Sequence, residues 1–211
     1  MKDDKFYVRE DKIDDVDKWW WIEGDNGLWT GPRQNWEHSH KEKVLKYVTA
    51  DRRKLVIQAG GGCGMYPRLL SNIFERVYSF EMEPSNFQCL VRNCEGRNVW
   101  CFNAALGDTQ GFVKVKEGSK SNRGTHKVNP EEGNVPQMRI DSIPWPRCDF
   151  IWLDVEGYEQ NVLRGAEQTI KKFKPIIFAE GGRTRCKEYV ESLGYDQVDQ
   201  SVSDTVFKPK T

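Results

Sequence analysis

From Leu55 onward the apolar residues fall into short runs separated by segments of helical spacing. "LVIQA" reads as a strand, "YPRLLSNIF" as a helix, "VYSFE" as a strand, "PSNFQCLVRNC" as a helix and "NVWCFNA" as a strand. That alternation is the pattern of β-α-β units, which lay their strands parallel in one sheet. The second half continues it. "GFVKVKE" alternates as a strand, "CDFIWLDV" is a buried strand, "YEQNVLRGAEQTIKKF" an amphipathic helix, "KPIIFAE" a strand and "TRCKEYVESLG" a helix. "YDQVDQ" and "DTVFKP" form a closing strand pair, whose last member is expected to insert antiparallel into an otherwise parallel sheet. Between these elements "GSKSNRGTHKVNPEEGNV" has no apolar period and reads as a mobile polar loop.

Residues 1–50 lack sustained periodicity. "DKWWWIEGDNGLWTGPRQNWEHSH" reads as loops, ending in a helix through "EKVLKYV", where Val44, Leu45 and Val48 share a face. The expected division is an aromatic-rich N-terminal extension, 1–50, and an α/β domain, 51–211.

Composition narrows the setting. The 211 residues suit one domain of ordinary size, and eight tryptophans are too many for a disordered chain. The 32 basic and 32 acidic residues cancel, so duplex nucleic acid meets no electrostatic footprint. Six cysteines show no metal or redox spacing and read as small buried hydrophobes. The charged N-terminus is followed by no apolar stretch of leader or membrane-spanning length, so no membrane partner is expected and a reducing cytoplasm is the expected location.

The candidate chemistry starts at "VIQAGGGCGMY", where Gly60, Gly61, Gly62 and Gly64 follow the first strand of the domain. Each glycine in ordered backbone costs about 0.5–1 kcal/mol relative to alanine, so four together imply a sharp turn or room for a ligand. A glycine-rich strand-to-helix turn is where α/β sheets bind nucleotide-like cofactors. The dinucleotide fingerprint fails, since its last glycine would fall on Met65 or Pro67. The G-x-G-x-G spacing instead resembles the first motif of class I S-adenosylmethionine methyltransferases. Glu81 ends the next strand, where a carboxylate can accept hydrogen bonds from two vicinal ribose hydroxyls. Glu83, before Pro84, reads as a solvated charge.

The run from Val56 to Glu180 resembles the FkbM family of methyltransferases through "VIQAGGGCGMY", "VYSFEMEPSNFQCL", "NAALGD", "RIDSI", "DFIWLDVEGYEQNVLRGA" and "KPIIFAE". Together these span about 60% of the chain, and their joint order is specific where each alone is weak. The resemblance implies a Rossmann-like class I methyltransferase sheet of seven strands, order 3-2-1-4-5-7-6, with helices on both faces. It implies an S-adenosylmethionine-dependent O-methyltransferase acting on a hydroxyl of a small molecule or glycan, with S-adenosylhomocysteine as product. It also places Asn103, Ala104 and Asp108 near the adenine, with Leu106 as packing. Two positions depart from the family: Gln58 stands where an aspartate is usual, which removes a charge that helps orient the glycine loop, and Trp152 stands where lysine is frequent and is expected to pack under the site.

Methyl transfer from a sulfonium needs alignment and a proton acceptor for the hydroxyl. Asp154 and Glu156, at the end of a central strand, are the first candidates; Glu159 reads as a helix-dipole charge, and Glu180 ends the next strand as an acceptor-side residue. His38 and His40 are alternative bases, with His126 a third. Trp29 and Trp36, among the N-terminal aromatics, are candidates for an acceptor-binding lid. Asp154 with Glu180 could hold one Mg²⁺ against a vicinal diol, a version ranked below the metal-free one. Lys114, Lys116, Lys120, Arg123 and Lys127 could attract an anionic acceptor. Two other functions fit the same residues: an RNA ribose methyltransferase, supported by the basic loop, and a catalytically inactive cofactor-binding module, raised by Gln58.

Overall fold

The computed structural model describes residues 4–13, 16–26, 33–181, 186–201 and 204–210, and within 9–13, 16–17 and 33–39 the backbone alone. Where the sequence reads as loops, it has an antiparallel hairpin, β1 (Phe6–Ile13) and β2 (Val16–Ile22), followed by helix α1 (Arg33–Tyr47). The hairpin's alternation is hidden by composition. Trp19 and Trp21 are buried and Trp20 is exposed, a period of two written in one residue type. Val44 of α1 and Val48 just past its end are buried while Leu45, one residue off their stripe, is exposed.

The domain core then builds in order: β3 (Leu55–Ala59), α2 (Met65–Ser71), β4 (Arg76–Phe80), α3 (Pro84–Asn93) and β5 (Val99–Phe102). A short strand β6 (Ala105–Leu106) leads to β7 (Gly111–Lys116), β8 (Lys127–Asn129) and β9 (Val135–Met138), which join it in a small second sheet of order β6-β9-β7-β8. The stretch expected to be an unstructured polar loop therefore carries β8 and a 3-10 turn, Arg123–Thr125. After these come β10 (Phe150–Leu153), α4 (Glu159–Arg164), α5 (Glu167–Phe173), β11 (Ile176–Glu180), α6 (Lys187–Ser192), β12 (Tyr195–Gln200) and β13 (Asp204–Pro209).

The main sheet has seven strands in the order β12-β13-β11-β10-β3-β4-β5. Neighbours from β11 to β5 are parallel, and β13 is antiparallel to both β11 and β12. Leu55, Ile57, Ile151, Leu153 and Ile177 pack on one face with Val162, Leu163 and Ile170 of α4 and α5. Val56, Phe150, Trp152 and Phe178 pack on the other with Val44 of α1, Val48 just after it, and Leu69 and Leu70 of α2. Burial on both faces explains why these strands read as continuous apolar runs.

The expected single helix at 158–173 is two. Gly165 lies so close to the neighbouring chain that a Cβ there would come within 1.8 Å of the Gly107 carbonyl oxygen. Asp141 then caps the second piece from outside, its Oδ1 accepting from the Thr169 N–H at 2.8 Å and its Oδ2 from the Gln168 N–H at 3.0 Å. No helix among the described residues is long and apolar enough to cross a membrane.

Candidate active site

A cleft opens where the parallel strands end, above the turn that follows β3. Strand β3 has β4 on one side and β10 on the other. Successive connections leave from such a point to opposite faces, so open α/β sheets keep a crevice there.

The four glycines of the turn serve different ends. At Gly60, φ +82°, a Cβ would sit 1.7 Å from the Asp154 carbonyl oxygen, so this glycine lets the turn close on β10. At Gly61 a Cβ would meet Ser79 Oγ at 2.7 Å and Leu90 Cδ2 at 2.9 Å, which fits it between β4 and α3. Gly64, φ +99°, starts α2. Gly62, φ +51°, has nothing within 4 Å of its Cβ position and faces the cleft.

Gln58 lies behind this turn, fully buried and off the cleft wall. Its Oε1 accepts from Ser79 Oγ at 2.5 Å, and its Nε2 donates to the carbonyls of Gly60 at 2.8 Å and Ala59 at 3.2 Å. An aspartate has no N–H for those carbonyls. The departure from the family thus exchanges a charge for a clasp on the loop.

Glu81 reaches the cleft from the end of β4, 5% exposed. Its Oε2 accepts from the Gly62 N–H at 2.7 Å and its Oε1 from the Glu83 N–H at 2.8 Å. Burial pushes its carboxyl up to about 7, against the pull of these hydrogen bonds. Each oxygen keeps a further lone pair, so the group fits a vicinal diol. Glu83 is not a solvated charge: it is buried and caps α3, accepting from the Asn86 N–H at 2.6 Å. Its sequence signal was the proline behind it, at the first helical position. Met82, Ala104, Ala105 and Leu106 make an apolar wall beside Glu81. Asn103 stands off that wall and donates to the Glu81 and Met82 carbonyls at 2.9 and 3.2 Å. Asp108 is also off the wall, accepting from Asn161 at 3.0 Å.

At the opposite end Asp154 and Glu156 line the cleft. One carboxylate oxygen from each of Asp154, Glu156 and Glu180 lies within 4.8 Å of the others, close enough to hold a hard cation together. Glu156 thus stands as a third oxygen donor beside the two acids the sequence paired. Burial, then the charges of Glu180, Glu156 and Asp204, hold the Asp154 carboxyl well above the usual range. Glu156 takes a left-handed backbone, φ 53°. Glu159 is fully buried, and its Oε1 accepts from the N–H groups of Gly157 at 3.0 Å and Val155 at 3.4 Å, fixing the turn that carries Glu156. Beneath, Trp152 stacks on Phe178 with centroids 4.2 Å apart.

His40 does not line the cleft. It is buried against Tyr66, Trp152 and Phe178, with Nε2 3.2 Å from Asp204 Oδ2, joining α1 to β13. Trp29 lies outside the described residues, as do the side chains of Trp36 and His38 on α1. Lys114, Lys116, Lys120 and Lys127 are exposed, whereas Arg123 is engaged by Asp4. The outer wall of the cleft comes from Trp21 of the hairpin and from Arg123, Gly124, His126 and Val128 of the segment leading into β8. Burial lowers the His126 pKa. Nothing in the sequence signals that this segment meets a hairpin about 100 residues earlier.

Comparison with known proteins adds to this geometry. A family model described as the methyltransferase FkbM domain matches residues 69–200. The hexuronic acid methyltransferase AglP of Haloferax volcanii is 25% identical over 108 residues, covering 48% of this chain and 45% of that protein. The chain thus spans less than half the length of that relative. Among solved structures, the FkbM methyltransferase of Methylobacillus flagellatus KT is 18% identical with a TM-score of 0.51, over 74% of this chain and 43% of that one. The magnesium protoporphyrin IX methyltransferase of Synechocystis PCC 6803, solved with S-adenosylmethionine bound, is 10% identical with a TM-score of 0.50, over 84% and 79%. At such identities the two structures speak for a shared methyltransferase fold.

Proposed function

The chain belongs to the FkbM methyltransferase domain family, and from that premise we propose that it transfers a methyl group from S-adenosylmethionine to a hydroxyl of a small molecule or glycan. The observation that carries this reading is the open face of Gly62 beside the fixed carboxylate of Glu81, with Asp154 and Glu156 in the same cleft. The cofactor, when bound, supplies a sulfonium methyl open to in-line displacement. Glu81 accepts from its ribose hydroxyls, the wall of Met82, Ala104 and Leu106 takes the base, and the glycine turn approaches the remainder. Trp21 and the segment around Gly124 keep water out from the opposite side.

The acids at the other end handle the proton. Burial and the neighbouring Glu180 and Glu156 raise the Asp154 carboxyl, which once ionised can accept the acceptor's O–H proton. An acid with a raised pKa is a better base near neutrality than an ordinary surface carboxylate. The acceptor's other hydroxyls have the remaining carboxylate oxygens to donate to, which suits a sugar. The hexuronic acid named for AglP supports the glycan class. An anionic acceptor draws support only from the exposed lysines near β7 and β8.

The test is calorimetry with S-adenosylmethionine, followed by a screen of hydroxyl acceptors. Saturable binding with methyl transfer to a glycan or small molecule supports the reading. Binding without any transfer favours the inactive module, and steeply salt-dependent RNA binding favours ribose methylation of RNA. Turnover after exhaustive chelation would exclude a version in which Asp154, Glu156 and Glu180 hold Mg²⁺.

A further inference from the structure

The outer wall of the cleft is built from two pieces that both lie outside the main sheet. One is the β1–β2 hairpin, which contributes Trp21; the other is the segment 119–128, which contributes Gly124, His126 and Val128. A two-stranded hairpin is marginal by itself, so its position depends on what it is fastened to. Its apolar side packs Trp19, Trp21 and Ile22 onto Cys63, Met65 and Cys89 of the turn, α2 and α3.

The polar fastening converges on one residue. The Arg123 guanidinium donates to both oxygens of Asp4, at 2.6 and 2.9 Å, in a two-pronged pair on the strand's approach to β1. Its backbone N–H donates to Asp25 Oδ1 at 3.3 Å, just past β2, and next to it the Asn26 N–H donates to the Ser121 carbonyl at 2.8 Å. The same guanidinium stands 3.8 Å from Glu83, the cap of α3, whose N–H is held by Glu81. Asp4 is shared with Ser85 Oγ at 2.5 Å. Arg123 therefore joins both ends of the hairpin, the β7–β8 segment and the α3 cap at the rim of the cleft nearest Glu81. Burial and these acids act on it together, and the Asp4 carboxyl is held below its usual range.

We propose that Arg123 is a positioning residue for the cofactor: through Asp4 it clasps the two wall pieces together over the Glu81 end of the cleft and so slows release of the bound nucleoside. This rests on the cofactor assignment given above. It assigns to the hairpin a place over the cofactor, where the sequence suggested an N-terminal lid over the acceptor. It also explains why Arg123, though it lines the cleft, is unavailable to an anion.

The test uses Asp4→Asn, Arg123→Gln and the double variant in the full chain, with S-adenosylhomocysteine as the probe. Release measured by stopped flow should be about ten-fold faster in each single variant, the usual worth of a paired charged hydrogen bond. The double variant should be no faster than either, because both changes open one clasp. Hydrogen exchange on the ligand-free protein should show residues 16–22 and 119–128 losing protection together in Arg123→Gln, with β3 and β10 unchanged. Release rates within two-fold of the parent, additive effects, or exchange that rises in the 119–128 segment alone would each overturn the clasp. If the parent fails to bind the probe, the cofactor assignment falls and the cofactor role of Arg123 falls with it. Joint loss of protection would then identify Arg123 as a purely structural tie.

Discussion

The two ends of the cleft hold buried carboxylates in opposite circumstances. At one end, both oxygens of Glu81 already accept backbone N–H groups, so the side chain is fixed before any ligand arrives. At the other, Asp154 faces Glu156 and Glu180, and its nearest charges are of its own sign. The first arrangement is that of a binding group, spending its geometry on recognition. The second is unsettled until a proton, a hydroxyl donor or a cation enters, which suits a group that must change state during a reaction. If this contrast is right, substitutions at the two ends should separate cleanly into chemistry and affinity.

The largest expected effect is on turnover. Asp154→Asn should lower kcat about 10²-fold or more, the usual worth of a general base, while cofactor affinity measured by calorimetry changes little. Parent-like kcat in both Asp154→Asn and Glu156→Gln would reassign the base. Glu81→Ala should do the reverse, weakening cofactor binding by about 1.5–3 kcal/mol with kcat at saturation nearly kept. An unchanged dissociation constant in a folded Glu81→Ala protein would remove the ribose assignment.

A third expectation sharpens the contrast through pH. The Glu81 carboxyl rises from 4.5 in the unfolded chain to about 7 in the fold, so between these values the folded protein binds the extra proton. Stability from this group is therefore lost as pH rises through that window, by an amount on the order of 3 kcal/mol, and Glu81→Gln should flatten the decline in Tm. Ribose hydroxyls favour the ionised form, so cofactor binding near pH 7 should release a proton. The binding enthalpy should then vary with the ionisation enthalpy of the buffer. The smallest effect concerns Glu156, whose φ of 53° is unfavourable for a side chain. Glu156→Gly should raise thermal stability by about 1 kcal/mol while lowering turnover, whereas a loss of both would make Glu156 a structural residue.

Much of the main sheet was legible because its strands are short apolar runs with helical segments between them, and Glu81 was legible as an acid at a strand end. The glycine turn was read as one device, yet its parts divide between fold and ligand: Gly60 and Gly61 are pressed by protein atoms, and Gly62 is not. No spacing rule sees that difference, because it depends on β10 and α3. The hairpin was missed since three consecutive tryptophans erase the polar half of a period-two pattern. The break at Gly165 was missed since its cause, the Gly107 carbonyl, lies 58 residues upstream. Gln58 read as a lost charge because its partners on β4 and the loop are visible only in the fold.

The bond between His40 and Asp204 has a consequence for how the protein comes into being. It joins residues 164 positions apart, and Asp204 pairs with Glu180 in the register of β13 against β11. During synthesis β3, β4 and β10 emerge early, but β13, which slots between β11 and β12, is made after both. Contacts of such separation form late. A chain without β13 would leave β11, and with it Glu180, on a bare sheet edge and would leave His40 without Asp204.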